Sequence, residues 1–234
     1  MELSVINLGF RDYASTLELQ RRLWERRVED CIPDTLLIVE HDHAITLGKS
    51  ADRKDLLLSA DELRRLGIAV HEVERGGECT YHGPGQLVAY PIIKLGNERG
   101  VISRFIAGLE EVMLRTLGES GIMGFRKTGA PGVWLGDKKI GSVGITVRKW
   151  VSYHGFALNV NTDLSYFRFI RPCGQDWQVM TSVAQVLGRE VDFNGVAAAA
   201  ARLFARVIKN NIRIIAVDDR SIAKAGMAGS TVGI

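Results

Sequence analysis

At 234 residues, with 46% hydrophobic and 24% charged side chains, the chain has the composition of an ordinary globular protein, not a disordered or fibrous one. No run of about 18 apolar residues occurs, which excludes a transmembrane helix. The formal charge of +3 comes without a Lys/Arg block or interleaved aromatics, so nucleic acid is not an expected partner, whereas a small acidic protein is an acceptable one.

Cys31, Cys79 and Cys173 form an odd set that suits a reducing compartment better than a disulfide framework. The first residues lack the charged-then-apolar layout of a secretory signal, so a cytoplasmic protein is expected. Composition does not shift along the chain, and residues 1–220 are expected to form one domain. Small residues and glycine over 221–234 predict a flexible tail.

Leu3–Leu8 alternates loosely and predicts a first strand. Ser15 with Glu18 makes a capping box, and Leu17, Leu23, Trp24 and Val28 form one stripe, predicting a helix from Ser15 to Asp30. Cys31 follows it as a packing residue. Thr35–Glu40 and Ala44–Leu47 read as strands. His41 and His43 alternate there without a cysteine or second carboxylate pair at zinc spacing, which leaves them as pocket-lining candidates and not as metal ligands. Gly48-Lys49-Ser50 imitates the end of a phosphate-binding loop, but His43 stands where that motif needs glycine. Ser59 and Glu62 cap a short helix that Gly67 ends.

The most informative stretch is Arg75–Pro91, between predicted buried strands Ile68–Val73 and Leu87–Ile93. Its glycines at 76, 77, 83 and 85 are too many for a strand or helix interior. A shaped loop follows, in which backbone approaches a ligand or merely satisfies turn geometry. Beyond it, Ile102, Phe105, Ile106, Leu109, Val112, Met113 and Leu117 recur at helical spacing up to Gly118. Val133–Leu135 and Ile140–Val147 flank the hairpin signal Gly136-Asp137. Val151–Val160 is a further strand, and Gly155 inside it marks a bulge or a close backbone approach. Val179–Leu187 predicts a helix ended by Gly188, and Asp192 caps a last helix through Lys209. Strands and helices mix without regular alternation, which predicts an α/β or α+β fold with a mixed, largely antiparallel sheet flanked by helices.

Pro172 and Gly174 fix a sharp turn that leaves the Cys173 sulfur accessible from one side. A thiol with an ordinary pKa of about 8.5 is only a few per cent ionised at neutrality, so a reactive cysteine needs a nearby cation. Lys138 and Lys139 both lead into the strand after the hairpin, and strand alternation sends them to opposite faces.

The order Arg-Gly-Gly-x-x-Thr-Tyr-His-Gly-Pro-Gly-Gln-Leu-Val-x-Tyr-Pro from Arg75 resembles the signature loop of the octanoyl-[acyl-carrier-protein]:protein N-octanoyltransferases. Pro172-Cys173-Gly174 is similar to their acyl-accepting turn. The resemblance implies the fold of the catalytic modules of biotin and lipoate protein ligases. It implies that Cys173 carries the acyl group as a thioester, and that Lys139, followed by Ile-Gly-Ser-Val-Gly-Ile, lowers the thiol pKa. It implies substrate contacts from Arg75, Gly76, Gly77, Glu78, Cys79, Thr80, Tyr81 and His82, from Ser142, Val143 and Gly144, and from Gly155, Phe156 and Ala157. His82 is open to two roles, orienting substrate or sharing protons, beside a purely structural hydrogen bond.

The implied donor is octanoyl-acyl carrier protein, and the acceptors are lipoyl domains of 2-oxoacid dehydrogenases and the glycine cleavage H protein. No cofactor, metal, nucleic acid or membrane is implied, and a monomer is the expectation. One departure is visible in Glu40–Gly48, where Asp-His-Ala-Ile replaces something closer to Pro-Pro-Val-Tyr and alters the pocket wall. The competing readings are an ATP-dependent lipoate or biotin protein ligase and a noncatalytic acyl-carrier or lipoyl-domain binding module. The ligases carry an Arg-Arg-x-x-Gly-Gly-Gly loop and need no cysteine, whereas this chain has Arg-Gly-Gly, the Gly-Pro-Gly-Gln continuation and Cys173, and the presence of both Cys173 and Lys139 weighs against the binding module.

Overall fold

The computed structural model describes residues 3–174, 176–208 and 214–216, with side chains described throughout except at Cys173 and 214–216. The elements, in order, are β1 (Leu3–Arg11), α1 (Tyr13–Val28), β2 (Asp34–His41), β3 (Ala44–Leu47), α2 (Ala60–Arg65), β4 (Ala69–Glu72), β5 (Cys79–His82) and β6 (Gln86–Ile92). They continue with α3 (Val101–Glu119), β7 (Phe125–Lys127), β8 (Ala130–Leu135), β9 (Lys138–Arg148), β10 (Val151–Asn159), α4 (Val183–Leu187), α5 (Phe193–Ile208) and β11 (Ile214–Ala216). The architecture is mixed α/β with a mostly antiparallel sheet, as the sequence predicted.

Eight strands form the larger sheet in the order β11-β1-β2-β6-β10-β9-β8-β7, and β4-β3-β5 form a second one. Among the described residues, only β1 pairs in parallel in the larger sheet, with β2 and β11. β6 and β10 lie at its centre, and every residue of both is buried. Buried on both faces, such strands need near-continuous apolar sequence, which Leu87–Tyr90 and Phe156–Leu158 supply. One face packs α3 and α5 through Phe105, Leu109, Met113, Leu203 and Phe204. The other packs Leu19 and Leu23 of α1 against Leu37, Val88 and Tyr90. Ile45, Tyr81 and Phe167 centre a third cluster under the small sheet.

Several boundaries differ from the sequence expectation. Asp12, not Ser15, caps α1: its Oδ1 accepts from the Ser15 N–H at 2.7 Å, so the helix starts two residues earlier. The predicted helix Val179–Leu187 is shortened to α4. The Thr181 N–H donates to the Lys139 carbonyl at 2.9 Å, and Ser182 caps the helix with an Oγ accepting from Gln185 N at 3.1 Å. Cys79–His82 is a strand within the predicted loop, since these four glycine-free residues pair with Ala44–Leu47. β4 is largely solvent-facing, with only its flanks Ile68 and Val73 buried. The short strands β7 and β11 carried no sequence signal. Lys209 and residues 221–234 lie outside the described residues.

One buried ion pair ties α1 to β2. Arg27 Nε meets Asp34 Oδ1 at 2.7 Å, with side chains 6% and 0% exposed, and the same oxygen accepts from the Lys94 N–H at 2.9 Å. Removing one partner strands a buried charge, which costs about 3 kcal/mol or more. Arg27→Met is therefore expected to lower the unfolding free energy by about 3 kcal/mol in urea titration. A loss below about 1 kcal/mol, the value of an exposed pair, contradicts this.

Candidate active site

A cavity of about 490 Å³ opens between the two sheets. Its floor and walls come from β6, β9 and β10 of the large sheet and from the segment leading into β5 of the small one. Backbone clamps hold that segment. Gly48, Lys49 and Ser50 donate N–H bonds to the carbonyls of Glu78, Arg75 and Gly77 at 3.1, 3.0 and 3.1 Å, and Gly76 donates to Ile145 at 3.0 Å. A Cβ on Gly48 would meet the Gly77 oxygen at 2.3 Å, so the phosphate-loop lookalike is a brace for the signature segment. The Arg75 guanidinium is buried and grips Thr46, with Nη2 donating to its carbonyl and to its Oγ1 at 2.8 Å each.

Gly155 shows why a glycine sits inside β10. A Cβ there would fall 1.9 Å from the Ala89 carbonyl oxygen, inside the β6–β10 pairing. Gly144 pairs with Gly155 across β9–β10, and a Cβ on it would meet Gly76 O at 3.1 Å. Ser142–Gly144 and Gly155–Ala157 thus form a narrow, largely backbone-walled slot.

The structure brings Arg75, Gly76, Gly77, Glu78, Cys79, Thr80, His82, Lys139, Ser142–Gly144 and Gly155–Ala157 to one cavity. Tyr81 does not border it. Strand alternation turns its ring into the small sheet's core, 5.3 Å from the rings of Tyr166 and Phe167, with the hydroxyl bonded to His43 Nδ1 at 2.7 Å. The Cys79 thiol donates to the Arg171 carbonyl at 3.3 Å and so props the turn before Cys173. Neither His41 nor His43 lines the cavity. His41 Nδ1 donates to the Arg11 carbonyl at 2.9 Å and its Nε2 accepts from the Tyr90 hydroxyl at 2.8 Å. Tyr13, Ser50, Tyr90, Trp134, His154 and Met180 also border the cavity. They come from elements far apart in sequence: Tyr90 closes the signature run, Ser50 belongs to the phosphate-loop lookalike and His154 adjoins the noted Gly155, while Tyr13, Trp134 and Met180 carried no signal.

Lys138 is exposed, its Nζ donating to the Gln178 carbonyl at 2.7 Å, while Lys139 is 5% exposed and borders the cavity. The Lys139 ammonium lies 5.4 Å from the centre of the Trp134 ring, a cation–π distance. Pro172 lines the same cavity, in the 3₁₀ turn Pro172–Gly174. The Cys173 side chain lies outside the described residues.

A run of buried amides joins His82 to Lys139. Gln86 Nε2 donates to the Tyr81 carbonyl at 3.1 Å and to Asn159 Oδ1 at 2.9 Å. Its Oε1 must therefore accept from His82 Nδ1 at 2.7 Å, which fixes the proton on Nδ1 and leaves Nε2 an acceptor. Asn159 Nδ2 in turn donates to the Thr181 carbonyl at 3.0 Å, next to the Thr181–Lys139 backbone bond. Burial pushes His82 down to about 3 and His41 to about 4, so both imidazoles are neutral at physiological pH. Among the described residues no three His, Cys, Asp or Glu side chains converge to hold a metal ion.

Residues 12–205 match the lipoyl protein ligase A/B catalytic domain. An octanoyltransferase of Syntrophobacter fumaroxidans is 47% identical over 206 residues, covering 86% of this chain and 90% of its own. The chain belongs to this acyltransferase family. A second member, an octanoyltransferase of Caldicellulosiruptor saccharolyticus, is 42% identical and covers 94% of both chains. Among solved structures, lipoate-protein ligase A bound with ATP superposes with a TM-score of 0.73 at 17% identity, over 96% of this chain and 93% of its own. A biotin protein ligase from Aquifex aeolicus in complex with biotin and ATP gives 0.55 at 15% identity, over 89% and 70%. Those two show a shared fold, the one that the signature loop implied.

The two lowered imidazoles fix an acid sensitivity. Each stays neutral when folded and takes up a proton near pH 6.5 when unfolded, so its contribution is present above 6.5 and lost as pH falls toward its folded value. Between pH 7 and 5.5, before carboxylates titrate, the unfolding free energy is expected to drop by about 2 kcal/mol or more. Urea titrations at the two values measure it, and a flat profile contradicts the buried neutral pair.

Proposed function

We propose that this enzyme transfers an octanoyl group from octanoyl-acyl carrier protein, through a Cys173 thioester, to the lysine of lipoyl domains. The observation that carries the reading is that one cavity is bordered both by the buried Lys139 and by Pro172, the residue before Cys173.

The Cys173 thiolate attacks the donor's thioester carbonyl, the carrier's thiol leaves with a proton, and the acyl group rests on sulfur. The ε-amine of the acceptor lysine then attacks that carbonyl. An amide forms, the carbon–sulfur bond breaks and Cys173 is regenerated. Lys139 favours the thiolate by charge, and its ammonium supplies and recovers the proton that each leaving thiol needs. Turning a thioester into an amide is downhill, so ATP is not consumed. Backbone N–H groups of the glycine-walled slot are suited to hold the developing oxyanion. Neutral His82 presents a fixed acceptor, which suits orientation of a donor N–H better than proton shuttling.

Octanoyl transfer from octanoyl-acyl carrier protein to a lipoyl domain is expected to proceed without ATP in wild type and to vanish in Cys173→Ser. Transfer that requires free octanoate and ATP contradicts the reading in favour of a ligase. Separately, alkylation of the Cys173 peptide, followed by mass spectrometry against pH, is expected to show an inflection below about 8.5 that Lys139→Ala raises by roughly one to three units. An unmoved inflection removes Lys139 from that role.

A further inference from the structure

Trp134 borders the cavity, yet it carries no group that acyl transfer consumes. It is 1% exposed, and its ring is fixed in orientation because the indole Nε1–H donates to the Ala130 carbonyl at 3.1 Å. The Lys139 ammonium stands over this ring, 5.4 Å from its centre. The stem of the lysine is confined as well. It runs past the bare backbone of Gly132, where a Cβ would come within 2.8 Å of Lys139 Cε. Gly132 itself takes φ 128°, and its N–H donates to the buried Glu110 Oε1 at 2.8 Å.

A shift of register aims the lysine at that ring. β8 and β9 pair Val133 with Gly141 but Trp134 with Lys139, so Ile140 is an extra residue on β9, a β-bulge. Ile140 and Gly141 both lie on the α3 side: Ile140 shares a core cluster with Met113, and a Cβ on Gly141 would meet Met113 Sδ at 2.6 Å. Strict alternation from Gly141 would send Lys139 to the α3 side too. The bulge turns it to the cavity instead, beside Trp134. A flexible four-carbon stem thus ends on a ring that is held in place.

We propose that Trp134 is a positioning residue for the transfer, its ring holding the Lys139 ammonium at the cavity wall so that the lysine can act on Cys173. The inference rests on the acyl-transfer reading above. A ring face attracts a cation without bringing the full opposite charge of a carboxylate, which would cancel the field that the lysine offers a thiol. The other charged groups nearby are accounted for. Exposed Lys127 approaches the same ring at 4.6 Å, Glu78 borders the cavity, and Glu110 faces Gly132 and, at 3.4 Å, Arg126 Nε.

Trp134→Met and Trp134→Phe test this, since both shrink the side chain but only phenylalanine keeps a ring face. The readout is the inflection of Cys173 alkylation against pH, followed by mass spectrometry in each variant and again with Lys139→Ala added. We expect Trp134→Met to raise the inflection by about one unit, Trp134→Phe to raise it less, and neither to raise it further once Lys139→Ala is present. Labelling of Cys79, 3% exposed, reports any unfolded fraction in the same digest. If Trp134→Met labels Cys79 faster than wild type does, Trp134→Phe decides alone, and it must raise the inflection with Lys139 present and not without it. Equal shifts in two folded variants, no shift in either, or a shift that persists without Lys139 overturns the positioning role, and the lysine's own role stands if Lys139→Ala alone raises the inflection. An inflection that Lys139→Ala leaves unmoved overturns both.

Discussion

The site depends on the orientation of one buried amide. Gln86 is 1% exposed, and its Nε2 faces two acceptors, so its oxygen can point only at His82. That single constraint sets the His82 tautomer, and Asn159 carries it on to the segment bonded to Lys139. Half-satisfied networks of this kind are costly in a low dielectric, whereas complete ones impose a unique geometry. The small sheet and the large sheet are held in register by side-chain amides at the level where the chemistry is placed, while glycine backbones line the slot beside them.

Those backbones explain how a polar network and an apolar substrate share one cavity. Gly155 lies against Ala89 closer than a side chain would allow, and Gly144 lies tightly against the Gly76 carbonyl. The same cavity is lined by the apolar residues Val88, Ile106, Val143 and Phe156. The Lys139 ammonium sits beside Trp134, largely removed from water, where a charge acts on its surroundings more strongly than it would at the surface. His154, Tyr13 and Tyr90, which also border the cavity, are uncharged at neutral pH because burial disfavours their ionised forms.

Much of this was legible in the sequence, for reasons that can be named. Gly155 marks a close backbone approach, since a Cβ there would fall 1.9 Å from the Ala89 oxygen, and Gly77 takes φ 86°, which suits glycine, whereas a Cβ on Gly76 would make only ordinary contact at 3.6 Å. Alternation separated Lys138 from Lys139, and the structure places the two on different sides. The strand Cys79–His82 stayed hidden because flanking glycines outweighed four pairing-competent residues, and Tyr81, which the resemblance placed among the substrate contacts, lies within it. Once the strand exists, its period of two sends Tyr81 inward. The helix predicted from Val179 failed for a tertiary reason, since Thr181 is spent on the Lys139 carbonyl. Gln86 and Asn159 meet only through strand order, which no local pattern encodes.

The central claim is that the acyl group rests on Cys173 between donor and acceptor. The most direct measurement is the intact mass of the enzyme quenched after mixing with octanoyl-acyl carrier protein alone, with peptide mapping of the adduct. The account predicts a gain of one octanoyl group on Cys173, discharged when a lipoyl domain is added. Full transfer activity with no adduct at any quench time, or an adduct mapping to another residue, contradicts it.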